Sequence, residues 1–124
     1  MSRKPAIHDA EPHVITSHGA DFFGQDRHPT KALTTLAPYA ENSVSYMDRK
    51  TIAPLLALLE APADRTFPAA EADQLAGQFL KVARLPGTKP AVAALARALA
   101  DAAARAAAVG EAWTWTVEHS PATS

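Results

Sequence analysis

The stretch that decides the fold is residues 88–117, TKPAVAALARALADAAARAAAVGEAWTWTV, because it joins the longest predicted helix to a strand. Twelve of the nineteen residues 91–109 are alanine, which has the highest helix propensity because it loses no side-chain entropy on ordering. Apolar positions recur in steps of three and four residues, so they share one face of the helix. They are Val92, Leu95, Leu99, Ala102 or Ala103, Ala106 and Val109. The glycine at position 110 predicts a left-handed residue that ends this helix.

Two short segments near opposite ends of the sequence have strand-like patterns. Residues 113–117, WTWTV, alternate apolar and polar side chains, which is typical of a strand with one apolar face. Residues 13–17, HVITS, form a β-favouring run that stops at Gly19. Because a strand of five residues cannot persist alone, we expect the two segments to pair as a β-ribbon.

Three further helices are predicted between these strands, each from apolar residues at helical spacing. The first opens at Pro29 and is disturbed by Pro38. The second starts at Thr51, because Pro54 is tolerated only in a first turn. The third follows Pro68. Their apolar faces consist of Leu33, Leu36 and Tyr39, then Ile52, Leu55, Leu56, Leu58 and Leu59, and finally Leu75, Phe79, Val82 and Ala83.

These elements define the predicted fold class and its boundaries. Residues 20–29 and 61–66 are predicted to be loops, and one of Phe22 and Phe23 is expected to enter the core. The predicted fold is mainly α: a compact four-helix bundle with a small two-stranded β-ribbon formed by the N- and C-terminal strands. The predicted organisation is a flexible N-terminal tail at 1–12, a single helical domain at 13–118 and a flexible C-terminal tail at 119–124.

Composition narrows the functional classes. The 124 residues carry 12 lysines and arginines against 13 aspartates and glutamates, so no strongly basic surface for nucleic-acid phosphates is predicted. No cysteine is present, which excludes disulfides, thiolate zinc sites and cysteine nucleophiles. The first residues are polar rather than apolar, and Arg97, Asp101 and Arg105 place charges in the most apolar helix. A cytoplasmic protein without a membrane partner is expected.

Candidate catalytic and metal-binding residues do not form a recognisable pattern. The histidines include no His-x3-His pair for one face of a helix. They are His8, His13, His18, His28 and His119. Ser17, His18 and Asp21 are the residue types of a hydrolytic triad, but close neighbours in sequence do not generally meet as a triad requires. We therefore expect no enzyme activity, no catalytic residues, no cofactor and no metal site.

Two features of the sequence suggest nucleic-acid binding, but in both the residues are more typical of a protein core. Residues 68–84 and 88–109 flank a turn of suitable length for a helix-turn-helix. The second helix, however, begins with Lys89 followed by mainly apolar residues, whereas a recognition helix needs polar side chains there. Trp113 and Trp115 have rings that stack on bases in some proteins, but aromatic residues on one side of a strand are more often core.

Three stretches resemble a group of small alanine-rich actinobacterial proteins of unknown function. They are residues 13–24, HVITSHGADFFG, residues 52–59, IAPLLALL, and residues 99–116, LADAAARAAAVGEAWTWT. The resemblance covers much of the domain in patches. It implies no activity, cofactor or catalytic residue.

The function predicted from the sequence is non-catalytic binding of another protein, as an adaptor, an immunity protein or a regulator. The basis is a well-patterned core without a convergent catalytic set. The alternative is a small nucleic-acid-binding regulator, if folding gathers the basic side chains. Those side chains are Arg49, Lys50, Lys81, Arg84 and Lys89. The sequence leaves the partner's identity and the oligomeric state open.

Overall fold

The computed structural model describes residues 12–20 and 24–118 of the chain. Within these ranges it contains four strands, four α-helices and one short 3-10 turn at Tyr46–Asp48. In chain order the strands and α-helices are β1 (His13–Ser17), β2 (Gln25–Pro29), α1 (Thr30–Asn42), α2 (Arg49–Glu60), β3 (Arg65–Phe67), α3 (Ala69–Arg84), α4 (Pro90–Ala108) and β4 (Trp113–Glu118). The predicted tails, apart from Pro12, and the prediction for Phe22 and Phe23 fall on residues outside the described ranges.

The strands form one antiparallel sheet in the order β2-β1-β4-β3. The expected pairing of the first and last strands is present, with Val14 opposite Val117 and Thr16 opposite Trp115. The fold class predicted from the sequence is nevertheless wrong. Because two more strands flank this pair, the protein has a mixed α/β fold rather than a mainly α bundle with a two-stranded ribbon.

The two unpredicted strands lie at the edges of the sheet, where local sequence signals are weakest. β2 reads QDRHP, without an aliphatic or aromatic residue, and β3 is only three residues long. Charged residues and proline are favoured on edge strands because they discourage pairing with another chain. These segments are extended because β1 and β4 supply hydrogen-bonding partners, which no local pattern reveals.

One face of the sheet packs against the helices and forms the core. Val14, Trp113 and Trp115 are fully buried on this face. The Trp113 ring meets Phe79 of α3 edge-on, with 6.3 Å between ring centroids. The expected role of both tryptophans as core residues is therefore confirmed, and neither offers an exposed stacking surface.

Helix α4 supplies the largest share of the helical core. Leu99 is fully buried, as its predicted stripe requires, and Gly110 has a φ of 71°, which confirms the left-handed helix end. Val109 departs from the stripe, since 63% of its surface is exposed. The helix ends at Ala108, so Val109 follows the reversing chain instead of the buried face.

Proline affects the other helices less than predicted. Helix α1 continues through Pro38 to Asn42, and α2 begins at Arg49, before the predicted Thr51. Pro38 lies on the exposed side of α1. A carbonyl that loses its helical partner there can be hydrated, which lowers the cost of the proline.

Candidate functional site

The turn after β1 has a conformation that its residue types alone do not favour. His18 has a φ of 60°, a left-handed value that is uncommon for residues other than glycine. At Gly19 a Cβ atom would collide with the backbone of Gln25. The Gly19 amide donates a hydrogen bond of 3.0 Å to the Gly24 carbonyl. His18 is therefore a left-handed residue directly after β1, and the Gly19 backbone lies close against the start of β2.

Residues at the end of α4 and the start of β4 hold this turn from the other side. Arg105 Nη1 donates to the His18 carbonyl at 2.7 Å, and Trp113 Nε1 donates to the Ser17 carbonyl at 3.0 Å. The Thr114 amide donates to Ser17 Oγ at 2.9 Å. Left-handed backbone in a non-glycine residue costs of order 1–3 kcal/mol and persists only where surrounding contacts determine it. These three bonds supply such contacts.

Three side chains form a continuous polar chain at this turn, and we call them the Ser17 cluster. Ser17 Oγ lies 2.9 Å from His18 Nδ1, and His18 Nε2 lies 2.7 Å from Glu111 Oε1. The His18 side chain is 22% exposed and that of Glu111 is 64% exposed. A hydroxyl, an imidazole and a carboxylate are therefore connected at a position that solvent reaches.

The sequence identified Ser17 and His18 as residue types of a hydrolytic triad, but it suggested the wrong carboxylate and did not predict that the two side chains meet. Ser17 and His18 do meet through their side chains, although they are adjacent in sequence. Asp21 lies outside the described residues, and the carboxylate comes instead from Glu111, 93 residues after His18. A Glu directly after a helix-ending glycine carries no catalytic signature, so nothing in the sequence connected it to the histidine.

The other histidines occupy separate parts of the fold. His13 and His28 lie on opposite faces of the sheet, since His28 pairs with Val14 and His13 is one residue earlier. Burial lowers the pKa of His28 below its usual value of 6.5, and the Asp26 carboxylate partly opposes this shift. Among the described residues no three histidines, aspartates or glutamates are grouped closely enough to hold a metal ion. His8 and His119 lie outside the described ranges.

A second surface feature lies between the start of α3 and the end of α4, and we call it the alanine groove. Its volume is about 350 Å³, which lies within the range of roughly 300–1,000 Å³ for ligand pockets. It is open to solvent and is lined by Ala69, Ala70, Asp73, Ala104, Ala107 and Ala108. Val109, exposed over 63% of its surface, follows its last residue in sequence. Asp73 is the single charged residue in the lining, and the other lining side chains are alanine methyl groups.

A smaller pocket lies between α2, β3 and α3. Its volume is about 60 Å³, well below the roughly 300 Å³ at the lower end for small-molecule sites. Arg65 and Glu71 are among its lining residues.

The basic residues proposed for nucleic acid are all exposed, but carboxylates lie beside two of them. The Arg49 guanidinium lies 3.4 Å from the Glu41 carboxylate, and Lys81 lines a pocket together with Asp48. In the proposed recognition helix, the early residue Val92 is buried in the core. These positions do not favour insertion of the helix into a DNA groove.

The comparisons with known proteins agree with the expectation of an uncharacterised family. No curated protein and no solved structure matches the chain. In the part of the chain that the structure describes, no helix is both long and apolar enough to cross a bilayer. The model of one protein family, described as Domain of unknown function (DUF7739), matches residues 19–116. Because this match covers most of the sequence, the chain belongs to that family.

Proposed function

We propose that this protein binds a second protein in the cytoplasm, and that the alanine groove is the binding surface. The observation that carries the proposal is an open groove between two helices, lined by alanine side chains and one carboxylate, with an exposed valine following Ala108 in sequence. Burial of aliphatic side chains against a partner is favourable because it removes them from water. The proposed role is that of an adaptor, an immunity protein or a regulator.

The shape of the groove favours a helix as the docking element. Both walls are helices, and the alanines on them are short enough to let a third backbone approach closely. Helices pack at axial separations of roughly 8–10 Å, the closer values needing small side chains at the contact. Helix-in-groove docking is a recurrent mode of peptide recognition.

The charge of the groove specifies the partner further. Asp73 is exposed at the edge of an otherwise aliphatic lining. A partner helix with small apolar residues on one face and a lysine or arginine beside them complements this pattern. The ion pair would contribute to orientation more than to affinity, because rim charges mainly affect the association rate.

The proposal is tested by filling the groove without disturbing the core. Ala104 and Ala108 are exposed on α4, so Ala104→Arg with Ala108→Arg should leave the fold intact. Ala91→Arg with Ala94→Arg is the matched control, since it places two arginines at exposed positions of the same helix, nearer its start. We expect proteins captured from the native host by the wild type to be retained by the control and lost by the groove variant.

Quantitative mass spectrometry of the captured proteins measures this difference. Identical sets of proteins on all three baits, at equal thermal midpoints, would place any partner elsewhere. For an isolated partner, stopped-flow kinetics with Asp73→Asn should show a slower association that depends less on salt. Self-association through the groove would appear as a dimer in sedimentation, and it would replace the proposed partner with a second copy of this chain.

A further inference from the structure

The Ser17 cluster has the connectivity of an activated nucleophile, and this leads beyond the proposed binding function. The geometry points to Ser17 as an acyl-accepting nucleophile, with His18 as its general base and Glu111 as the residue that positions the imidazole. The substrate class is a small activated ester. The proposal rests on the distances of 2.9 Å and 2.7 Å that link the three side chains.

The direction of the hydrogen bonds follows from what each group can donate. An ionised Glu111 carboxylate only accepts, so His18 Nε2 carries the hydrogen between them. In a neutral imidazole Nδ1 is then the acceptor, and it faces Ser17 Oγ. Because the Thr114 amide already donates to Ser17 Oγ, the serine hydrogen is left to point towards the imidazole.

The backbone holds this arrangement in place before any substrate arrives. The left-handed conformation of His18 is what lets its ring turn back towards the preceding side chain. Arg105 and Trp113 fix the carbonyls of His18 and Ser17 respectively. Groups held in reactive geometry avoid an ordering cost in the transition state. Strained backbone is a recurrent feature of reactive sites.

The proposed step balances with the ester and water alone. Ser17 Oγ attacks the ester carbonyl carbon and passes its proton to His18 Nδ1, while Glu111 stabilises the imidazolium. The bond between the carbonyl carbon and the leaving oxygen then breaks, and the proton on Nδ1 goes to that oxygen. Water attacks the acyl carbon and gives a proton to His18 Nδ1; the bond between that carbon and Ser17 Oγ then breaks, Nδ1 returns the proton to Oγ, and the acid leaves.

A fluorophosphonate probe tests the nucleophile, because an Oγ–P bond forms as fluoride leaves and the adduct is stable. The full chain is incubated with the probe, and the adduct is measured by intact mass and located by peptide mapping. We expect one adduct on Ser17, none with Ser17→Ala and unchanged labelling with Ser45→Ala. Ser45 is the control because its exposed hydroxyl bonds directly to the Asp48 carboxylate without an imidazole.

Two further variants separate chemistry from folding. His18→Asn removes the base while keeping a residue that tolerates left-handed backbone, and labelling should slow by at least about 100-fold, the lower end for general base catalysis. Glu111→Ala and Glu111→Gln should both slow it, because neither side chain stabilises the imidazolium and the carboxamide can hold the imidazole in the wrong tautomer. Circular dichroism confirms that each variant is folded.

Several results would overturn the proposal. One is a wild type that labels no faster than Ser17→Ala. Another is an adduct that maps to other residues, and a third is labelling that persists in folded His18→Asn. Ester turnover offers a second readout: the short-chain substrate p-nitrophenyl acetate should give acetyl-Ser17, and an acetyl group found only on lysines contradicts it.

Discussion

The α3–α4 side of the core and the β1–β2 side of the sheet bury different types of residue. The buried residues of α4 are aliphatic without exception, from Val92 to Ala106. On the sheet side, Thr16 Oγ1 and His28 Nε2 are buried without a hydrogen-bond partner among the described residues, and so is Trp115 Nε1 on β4. A buried polar group in that condition costs about 1–3 kcal/mol. Helix α4 buries only aliphatic groups, whereas the β1–β2 side also buries polar groups that lower stability.

This contrast shows where the fold tolerates destabilising features. The same strand that buries Thr16 ends at the left-handed His18, whose backbone is also unfavourable. Such features persist when packing elsewhere exceeds their cost. Here that packing comes from β4, where Trp113 and Trp115 meet edge-on with ring centroids 5.6 Å apart. The following predictions test the contrast, beginning with the contact between the two sides.

Trp115→Asp should have the largest effect, because it places a charge where the side chain is fully buried. Loss of a buried tryptophan alone costs about 3–5 kcal/mol, and an unpaired buried charge adds to this. We expect loss of cooperative unfolding in thermal scans, with loss of amide protection in both β1 and β4. Thr116→Asp, on the exposed face of the same strand, should stay folded. A folded Trp115→Asp protein would show that β4 does not link the two sides.

Leu99→Ala tests the helical side directly. Leu99 is fully buried on α4, so the free energy of unfolding should fall by about 2–5 kcal/mol. Arg97→Ala, two residues earlier on the exposed face, should cost under about 1 kcal/mol. Denaturant titrations measure both values. Equal losses would mean that the buried stripe of α4 is assigned to the wrong face.

Thr16→Val tests the sheet side and should act in the opposite direction. The valine keeps the shape of the side chain and removes a buried hydroxyl that has no partner among the described residues. We expect a gain in unfolding free energy of up to about 1–3 kcal/mol. Thr116→Val on the exposed face of β4 is the control, and it should change stability by less than about 0.5 kcal/mol. A loss of stability in Thr16→Val would indicate that the hydroxyl is hydrogen-bonded in solution.

His28 should give the smallest effect, seen as a dependence of stability on pH. Because burial lowers its pKa in the folded state, the unfolded chain takes up the proton at higher pH. Stability from this residue is complete above about pH 6.5 and is lost as pH falls from there through the lower folded-state pKa. In His28→Gln the free energy of unfolding should depend less steeply on pH over this range than it does in the wild type. Parallel curves for the two proteins would assign the pH dependence to other groups.

The predictability of each feature depends on how local its cause is. The buried face of α4, the left-handed Gly110 and the burial of both tryptophans follow from spacing within one element, and all three are observed. The pairing of β1 with β4 also followed, because each segment had a strand-like pattern of its own.

The sequence by itself therefore determined those features whose cause lies within one element: the spacing of apolar residues, the helix propensity of alanine and the conformational freedom of glycine. The extended form of β2 and β3, by contrast, was decided by the tertiary structure. A polar segment such as QDRHP becomes a strand because β1 offers unpaired backbone groups beside it. The Ser17 cluster depends on the same kind of cause, since Glu111 reaches His18 only after α4 has packed against the sheet. Contacts between residues 93 positions apart are set by that packing, and no local pattern encodes them.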